Sequence, residues 1–313
     1  MEEQKDMVLE VENLNVKFVM EEETVEAVNN ISLHIKKGET LGLVGETGAG
    51  KTTTALSIMR LVDSPPGVLE CDKLEVCGQD VMGMSITELA HIRGGLVSMI
   101  FQDPMASLNP RKKVRDIIGE GLDIHHMYKT RAEREEKIKN ILAKVGLAPE
   151  HAGRYPHQFS GGQRQRVGIA RALIMNPKLI IADECISALD VSIQAQVVNL
   201  MKDIQQETGT AYLFIAHDLS MVKYISDRIG VLHLGHLLET GTTEEIFENP
   251  IHPYTKSLLS AIPAPNPVVE KNRVALSYDY KTSGIDYNKG TDHLVSGTHY
   301  VKCTDEEFKK WTE

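Results

Sequence analysis

The fold of this chain is decided at Thr40-Leu41-Gly42-Leu43-Val44, an apolar run that leads directly into Gly45-Glu46-Thr47-Gly48-Ala49-Gly50-Lys51-Thr52. The second part matches the pattern Gly-x-x-x-x-Gly-Lys-Thr, and apolar residues at helical spacing follow it. Glycines let successive backbone N–H groups turn toward nucleotide phosphates, and the start of a helix adds positive potential. We therefore predict a phosphate site over Gly45 to Thr53, with Lys51 bridging phosphate oxygens and the Thr52 hydroxyl binding Mg²⁺.

A later apolar run ends in two carboxylates, at Leu179-Ile180-Ile181-Ala182-Asp183-Glu184. At the tip of a buried strand both side chains can reach a site above the sheet. We expect Asp183 to hold the water shell of Mg²⁺, and Glu184 to orient and deprotonate the water that attacks the phosphate. Taken without the phosphate loop, the same motif would be explained equally well by a solvated acidic pair at the start of a loop.

A second glycine loop lies at Ser160-Gly161-Gly162-Gln163. Ser160 can cap the helix that follows, and the glycines expose backbone N–H groups at its start, which makes a second anion site. One nucleotide does not need two such sites from the same subunit. We therefore predict that each nucleotide is bound between two subunits arranged head to tail; a plain helix cap is the alternative.

Composition narrows the class of protein. The 313 residues include 34 Lys and Arg against 44 Asp and Glu, a net charge of −10, which argues against nucleic acid as a partner. The sequence contains no apolar run long enough for a transmembrane helix and no secretory signal at its acidic start. Its four cysteines form no Cys-x-x-Cys pair, so we expect reduced thiols in a cytoplasmic protein and no structural zinc.

The order of segments predicts an α/β fold. Antiparallel strands precede the phosphate loop, residues 111–150 are charged with helical spacing, and buried strands return from about residue 178. Asp190 is placed to cap, and Gly209 to end, an amphipathic helix between two of these strands. Residues 263–313 lack a sustained period, and we expect them to form a peripheral extension.

These motifs together resemble the ATP-binding subunits of ATP-binding cassette (ABC) transporters, over about residues 8–265. The resemblance implies a RecA-like P-loop NTPase core (about 1–101 and 172–250) with an antiparallel β subdomain, an inserted α-helical subdomain (about 102–171) and the extension 263–313, so that residues 1–262 form the ABC ATPase domain. Further roles follow from matching positions. Gln102 corresponds to the Q-loop glutamine near Mg²⁺, His217 to the switch histidine on the γ-phosphate, Ser187 to Asp190 to the D-loop, and Phe18 to the aromatic that stacks on adenine.

Two stretches narrow the resemblance to oligopeptide and dipeptide importers: Phe101 to Pro110, and Asn249 to Lys256 with Ser260 to Pro263. Ser187 to Gln196, Phe214 to Asp218 and Ile225 to Arg228 resemble the F-type subunit, and Gly297 to Lys302 resembles the tail of F-type subunits from Gram-positive bacteria. The resemblance implies a peripheral ATPase on the cytoplasmic face of the membrane. Its implied partners are a related D-type ATPase, two permease subunits and, through the complex, an extracellular peptide-binding protein.

The sequence departs from the family pattern in two places. Cys185-Ile186 follows the catalytic glutamate where relatives usually carry a proline, so we expect a looser loop there. Many relatives also bind an iron–sulfur centre through cysteines in the extension. Here the extension contains Cys303 alone, and one thiolate cannot replace four ligands, so we expect no iron–sulfur cluster.

Two other kinds of protein contain the same type of ATPase domain and are alternatives to a peptide importer. One is a soluble cassette protein of DNA repair or translation, which the peptide-importer stretches and the lack of a coiled-coil insert argue against. The other is an assembly factor for a soluble multienzyme complex. Co-purification separates the three functions, because membrane subunits, ribosomes or DNA, and soluble enzymes would be recovered respectively.

Overall fold

The computed structural model describes residues 6–187, 189–262 and 275–313. The strands are β1 (Met7–Val19), β2 (Thr24–Lys36), β3 (Thr40–Val44), β4 (Gly67–Glu70), β5 (Lys73–Val76), β6 (Gln79–Asp80), β7 (Val97–Ile100), β8 (Leu179–Asp183), β9 (Ala211–Ile215), β10 (Arg228–His233), β11 (His236–Thr242), β12 (Thr291–Ser296) and β13 (His299–Cys303). The helices are α1 (Lys51–Ile58), α2 (Ile86–Ile92), α3 (Pro104–Ser107), α4 (Val114–Ile124), α5 (Arg131–Lys144), α6 (Gly161–Leu173), α7 (Val191–Thr208), α8 (Leu219–Ile225), α9 (Thr243–Glu248), α10 (Pro253–Ser260), α11 (Tyr280–Ser283) and α12 (Asp305–Thr312).

The central sheet has the order β12-β13-β11-β10-β3-β9-β8-β7. Its five strands from β10 to β7 run parallel. Every residue of β3, β8 and β9 is buried, as expected for apolar strands covered on both faces. The carboxyl ends of parallel strands meet at one edge of a sheet. The loops that leave β3, β7, β8 and β9 therefore meet at this edge, which positions the site described below.

A second, antiparallel sheet packs against the first. Its strands follow the order β2-β1-β5-β6, and β4 also pairs with β1. Buried apolar residues of β1 and β2 join those of α1 and one face of the central sheet in a common core. The antiparallel strands predicted ahead of the phosphate loop are therefore present, and they hold α1 against the sheet.

The helical insert consists of α4, α5 and the first part of α6, and two short 3-10 helices lie between α5 and α6. In α5 the predicted apolar face is largely buried, with Ile138 and Leu142 fully inside and Ile141 half-buried. Helix α6 packs against α4 and against β7, so it connects the insert to the edge strand of the core. Helix α7 begins after Asp190 and ends at Gly209 as predicted, although the Asp190 side chain makes no capping hydrogen bond with the described residues.

The carboxyl-terminal extension is more integrated than its sequence pattern indicates. Strands β12 and β13 pair with each other, and β13 pairs with β11, so the described part of the extension (275–313) enlarges the central sheet. In β13 the buried residues alternate as His299, Val301 and Cys303. This alternation was missed because histidine and cysteine were not counted as inward-facing residues. Residues 263–274 lie outside the described residues.

Within the described ranges, no helix is both long enough and apolar enough to cross a membrane.

Candidate nucleotide site

The phosphate loop takes a conformation that its glycines require. Gly45 and Gly50 have φ values of 151° and 101°. A β-carbon at Gly45 would lie 2.1 Å from the Leu232 carbonyl oxygen, and one at Gly50 would lie 2.6 Å from the Ala27 carbonyl oxygen. Both contacts are with backbone, which cannot move aside as a flexible side chain would. The loop therefore packs directly on its surroundings and leads into α1, for which Gly50 is the N-cap residue.

Lys51 lies inside the curve of this loop. Its Nζ donates hydrogen bonds to the Gly45 and Glu46 carbonyl oxygens, both at 2.9 Å, and only 4% of the residue is exposed. Burial lowers the pKa of Lys51, while the carboxylates of Glu184 and Asp183 act in the opposite direction. An anion that enters the loop therefore meets an ammonium group held by the loop backbone.

Thr52 and Asp183 face each other across the start of α1. The Thr52 hydroxyl donates a hydrogen bond to Asp183 Oδ1 at 3.1 Å. Burial raises the pKa of Asp183, and the hydrogen bond from Thr52 partly offsets this. In the described residues no group of three or more His, Cys, Asp and Glu side chains is positioned to hold a metal. The Thr52–Asp183 pair still suits Mg²⁺, which takes one or two hard oxygen ligands from protein and the rest from phosphate and water.

The Glu184 carboxylate is held from two sides. Gln102 Nε2 donates a hydrogen bond to Oε2 at 2.6 Å, and His217 Nε2 lies 2.7 Å from Oε1. The three residues come from the loops after β7, β8 and β9. Glu184 has a left-handed φ of 45°, and its backbone N–H donates to the Ile215 carbonyl oxygen at 2.9 Å. The structure thus brings together the three side chains that the sequence predicts to be catalytic.

The phosphate loop, the start of α1 and the loops after β7, β8 and β9 line a cavity of about 290 Å³. Its lining comprises Ala27, Thr47, Gly48, Gly50, Lys51, Thr52, Thr53, Gln102, Glu184 and His217. The cavity is therefore lined by the ammonium group of Lys51, the carboxylate of Glu184 and the imidazole of His217. Ala27, on β2, is a member that sequence reasoning missed.

The second glycine loop builds a different surface. The Ser160 hydroxyl accepts a hydrogen bond from the Gln163 N–H at 3.3 Å, and Gln163 Oε1 accepts one from the Ser160 N–H at 3.0 Å. This capping box starts α6, as predicted. A β-carbon at Gly161 would meet no atom within 4 Å, whereas one at Gly162 would lie 2.7 Å from Ile193 Cγ2. Gly161 therefore faces open space, and Gly162 allows α6 to approach α7.

Ser160 to Gln163 line a cavity of about 540 Å³ that also involves Gly146, Leu147, His151, Arg166 and residues at the start of α7. Among the described residues, none lines both this cavity and the one at the phosphate loop. The two glycine loops therefore line separate cavities. That each of them accepts a phosphate, the second one from a facing subunit, stays a prediction.

Phe18 is placed differently from the other predicted residues. It lies on β1, opposite Val25 and Gly67, and is half-buried against the core beneath the antiparallel sheet. It is not among the described residues that line the phosphate-loop cavity. Its predicted contact with adenine stays a prediction. In the D-loop, Ala188 lies outside the described residues.

The turn after Glu184 is well supported. Cys185 and Ile186 are each 2% exposed. The Glu184 carbonyl oxygen accepts hydrogen bonds from the Ser187 N–H at 3.1 Å and the Ser187 hydroxyl at 2.9 Å. Gln194 Nε2 donates to the Ile186 carbonyl oxygen at 3.0 Å. The sequence predicts a looser loop here than proline would give, and that stays a prediction; burial and these hydrogen bonds support the described part of the turn.

Sequence reasoning also missed a contact on the outer side of the phosphate loop. The Glu46 backbone N–H donates a hydrogen bond to the Tyr254 hydroxyl at 3.0 Å. The two residues are 208 positions apart, and no local pattern could have paired them.

Two family models and several known proteins match this chain. A family model described as ABC transporter matches residues 28–187, and one described as oligopeptide/dipeptide transporter, C-terminal region, matches residues 238–280. The chain is 54% identical over 308 residues to the oligopeptide transport ATP-binding protein OppF of Bacillus subtilis (strain 168), covering 98% of this chain and 99% of that protein. It is 52% identical over 301 residues to the dipeptide transport ATP-binding protein DppF of Lactococcus lactis subsp. cremoris (strain MG1363), covering 96% of this chain and 95% of that protein.

The structure also matches a solved structure of an ATP-binding cassette. The dimeric structure of the ATP-binding cassette MJ0796 in a post-hydrolysis state, bound to ADP and Pi, matches with a TM-score of 0.66. The two sequences are 28% identical, and the match covers 75% of this chain and 98% of that one.

Proposed function

Because this chain belongs to the ABC transporter family of ATP-binding subunits, we propose that it binds and hydrolyses ATP to drive the import of oligopeptides or dipeptides. The family and the fold class predicted from the sequence are confirmed. The observation that carries the hydrolytic activity is the Glu184 carboxylate, clamped by Gln102 and His217 in a cavity lined by Lys51 and Thr52. The relatives' names, which specify peptide transport, support the choice of cargo.

Binding of ATP begins at the phosphate loop. Backbone N–H groups between Thr47 and Thr53 surround the β- and γ-phosphates, and Lys51 exchanges its carbonyl partners for phosphate oxygens. Residues Gly45, Glu46 and Ala49 shape the loop from behind. Phe18 stacks on the adenine from the antiparallel sheet. The phosphate contacts account for most of the affinity because charge-assisted hydrogen bonds are the stronger kind.

Mg²⁺ would be held by the Thr52 hydroxyl, with Asp183 and Gln102 ordering its water shell, and it would neutralise charge on the phosphates. The Thr52–Asp183 hydrogen bond already orients both side chains.

Hydrolysis uses the clamped carboxylate. Water attacks the γ-phosphorus while the bond to the ADP oxygen breaks, and Glu184 accepts the proton that the water loses. His217 contacts the γ-phosphate and, with Gln102, keeps the carboxylate in line. The 2.6 and 2.7 Å contacts to Glu184 supply the positioning that phosphoryl transfer depends on.

A complete site requires two subunits. Ser160, Gly161, Gly162 and Gln163 present their N–H groups to the γ-phosphate held by a facing ATPase, and that ATPase does the same in return. The facing subunit is a related D-type ATPase. ATP thus favours the closed arrangement of the pair, and hydrolysis removes the shared anion and reopens it.

The closing motion is passed to the membrane through the insert. A groove of about 290 Å³ lies between the core and α4, and its lining includes Met99, Phe101, Ile117 and Ile124. Phe101 is 38% and Ile124 63% exposed, and Gln102 follows Phe101 directly. We propose that this groove contacts one of two permease subunits and that the ATPase acts at the cytoplasmic face of the membrane. A peptide-binding protein outside the cell completes the complex, and nucleic acid has no place in it.

The test is substitution of the phosphate-loop lysine. Lys51→Ala should weaken ATP binding by the full-length chain at least tenfold, and should abolish ATP-dependent peptide uptake by vesicles containing the reconstituted complex. Lys310→Ala, which removes an exposed lysine of α12, is the matched control and should leave both unchanged. Normal ATP binding by the Lys51→Ala chain would overturn the site. If the chain purified with soluble enzymes, ribosomes or DNA in place of permeases, the proposal that it drives peptide import would be refuted.

A further inference from the structure

The outer side of the phosphate loop rests on a tyrosine from α10. The Tyr254 hydroxyl accepts the Glu46 backbone N–H at 3.0 Å, and the carbonyl oxygen of the same Glu46 accepts a hydrogen bond from Lys51 Nζ at 2.9 Å. Tyr254 is 2% exposed, and burial raises its pKa to about 12, so the hydroxyl stays protonated at neutral pH. The Glu46 N–H shares its peptide unit with the Gly45 carbonyl, whose oxygen also accepts a hydrogen bond from Lys51 Nζ at 2.9 Å, so this one peptide unit connects Tyr254 to the lysine of the phosphate loop.

Tyr254 is itself fixed by a histidine at the end of β10. The ring of His233 stacks on the ring of Tyr254, with centroids 4.1 Å apart and an interplanar angle of 24°. The turn that follows His233 also contacts the loop, because the Gly235 N–H donates to the Ala49 carbonyl oxygen at 3.0 Å. Burial lowers the pKa of His233, so the stacked imidazole is neutral.

His233 is in turn held by the carboxyl-terminal extension. Its Nδ1 lies 2.7 Å from the Tyr287 hydroxyl, which lies 3.0 Å from the Tyr278 hydroxyl. Tyr287 is 3% exposed, and the Tyr280 ring packs on it with centroids 4.5 Å apart. A continuous chain of contacts therefore runs from the extension through Tyr287, His233 and Tyr254 to the phosphate loop.

We propose that Tyr254 is a positioning residue for the phosphate loop, and that the carboxyl-terminal extension holds it in place through Tyr287 and His233. This inference rests on the proposed function of the loop as an ATP site. The extension thereby contributes to ATP affinity as well as to the sheet. Tyr254 contacts no phosphate and acts through the position of Glu46 and Lys51.

The decisive variant is Tyr254→Phe, which removes the hydroxyl and keeps the stacked ring. The Glu46 N–H then loses its partner, and an unpaired N–H in a part-buried position is costly. In the full-length chain the Kd for ATP should rise about fivefold to tenfold. In the reconstituted complex KM for ATP should rise by a similar factor, with kcat at saturating ATP within about twofold, because ground and transition states lose the same support.

Tyr280→Phe is the matched control within the same aromatic cluster. Its ring packs on Tyr287, but its hydroxyl is not part of the contacts that lead from Tyr287 through His233 to Tyr254, so the Kd of this variant for ATP should not change. Tyr287→Phe tests the extension alone, since it releases His233 without touching the loop, and its Kd for ATP should rise about twofold to fourfold. A Tyr254→Phe chain with a lower Tm and an unchanged Kd would overturn the proposal, as would an unchanged Kd in Tyr287→Phe.

The Lys51→Ala chain separates this proposal from the one on which it rests. If Lys51→Ala loses ATP and Tyr254→Phe does not, the positioning role alone is refuted. If Lys51→Ala keeps ATP, the site itself is refuted and the positioning role with it.

Discussion

Glu184→Gln gives the sharpest test of the catalytic assignment, because the structure predicts a small effect on folding and a large loss of hydrolysis. Glutamine has the same shape, so its Oε1 can accept the hydrogen bond from Gln102, and its NH₂ can donate to the Nε2 of a His217 in the other tautomer. Both charge-assisted contacts become neutral ones, and the two changes together cost about 2 kcal/mol of unfolding free energy. The fold and ATP binding should survive.

Hydrolysis should respond very differently. An amide cannot accept the proton of the attacking water, and a positioned base contributes about 10²–10⁴-fold, or about 2.7–5.4 kcal/mol of barrier. The assay is phosphate release at saturating ATP by the reconstituted complex, beside ATP binding and Tm of the full-length chain. ATP should stay bound and hold the two ATPases together, since the shared anion is no longer removed.

The control is Glu207→Gln, an exposed carboxylate that pairs with Lys144 on the surface at 2.8 Å. Its ATPase rate should be unchanged, because a surface pair contributes little to stability and nothing to the site. If Glu184→Gln keeps more than about a tenth of the wild-type rate, the assignment of Glu184 as base is wrong.

Two further predictions concern the glycine loop at Ser160 to Gln163 and the buried residue His252. Ser160→Arg should leave ATP binding by the single chain within about twofold but stop hydrolysis in the complex, because the arginine blocks the open face beside Gly161. Thr130→Arg removes an equivalent N-cap from α5 and should keep activity, so equal losses in both variants would point to simple destabilisation. His252 is fully buried, and burial lowers its pKa to about 3. The unfolded chain, with a histidine pKa of about 6.5, binds more protons in acid, so unfolding free energy should fall by about 2 kcal/mol from pH 7 to pH 5 through this residue. His252→Asn keeps an N-cap acceptor for the Tyr254 N–H, and its unfolding free energy should no longer fall by this amount between pH 7 and pH 5. If the variant showed the same pH dependence as the wild type, the assignment to His252 would be wrong.

Much of the site could be predicted because its chemistry is local in sequence. The phosphate loop needs consecutive N–H groups, and the acidic pair needs the tip of one buried strand, so each motif is contiguous. The parallel sheet then brings the motifs together at the carboxyl ends of β3, β7, β8 and β9. Apolar runs predicted β3, β8 and β9, whereas β7 was not predicted. Gln102 and His217 were identified by the resemblance to the family, and the structure places both beside Glu184.

The features that were missed depend on contacts between distant segments. The Tyr254 hydroxyl reaches Glu46 across 208 positions, and β13 pairs with β11 through backbone groups that any residue provides. In the extension, buried His299 makes a 2.7 Å contact with buried Glu239, whereas a pattern of apolar residues assigns both to the surface. Sequence periodicity records burial of apolar side chains, and it does not record polar groups buried as partners.

Glu184, which precedes Cys185 where relatives carry a proline, has an unfavourable backbone conformation that its neighbours hold in place. A left-handed φ of 45° is unfavourable for a residue with a β-carbon and persists only when the surroundings enforce it. Here the backbone N–H is held by Ile215, the carbonyl oxygen by Ser187, and the carboxylate by Gln102 and His217. The burial of Cys185 supports the same turn. The strain at Glu184 is therefore carried by residues of the candidate site, and a ligand that displaced Gln102 or His217 would also remove a contact to the carboxylate that we propose as the base.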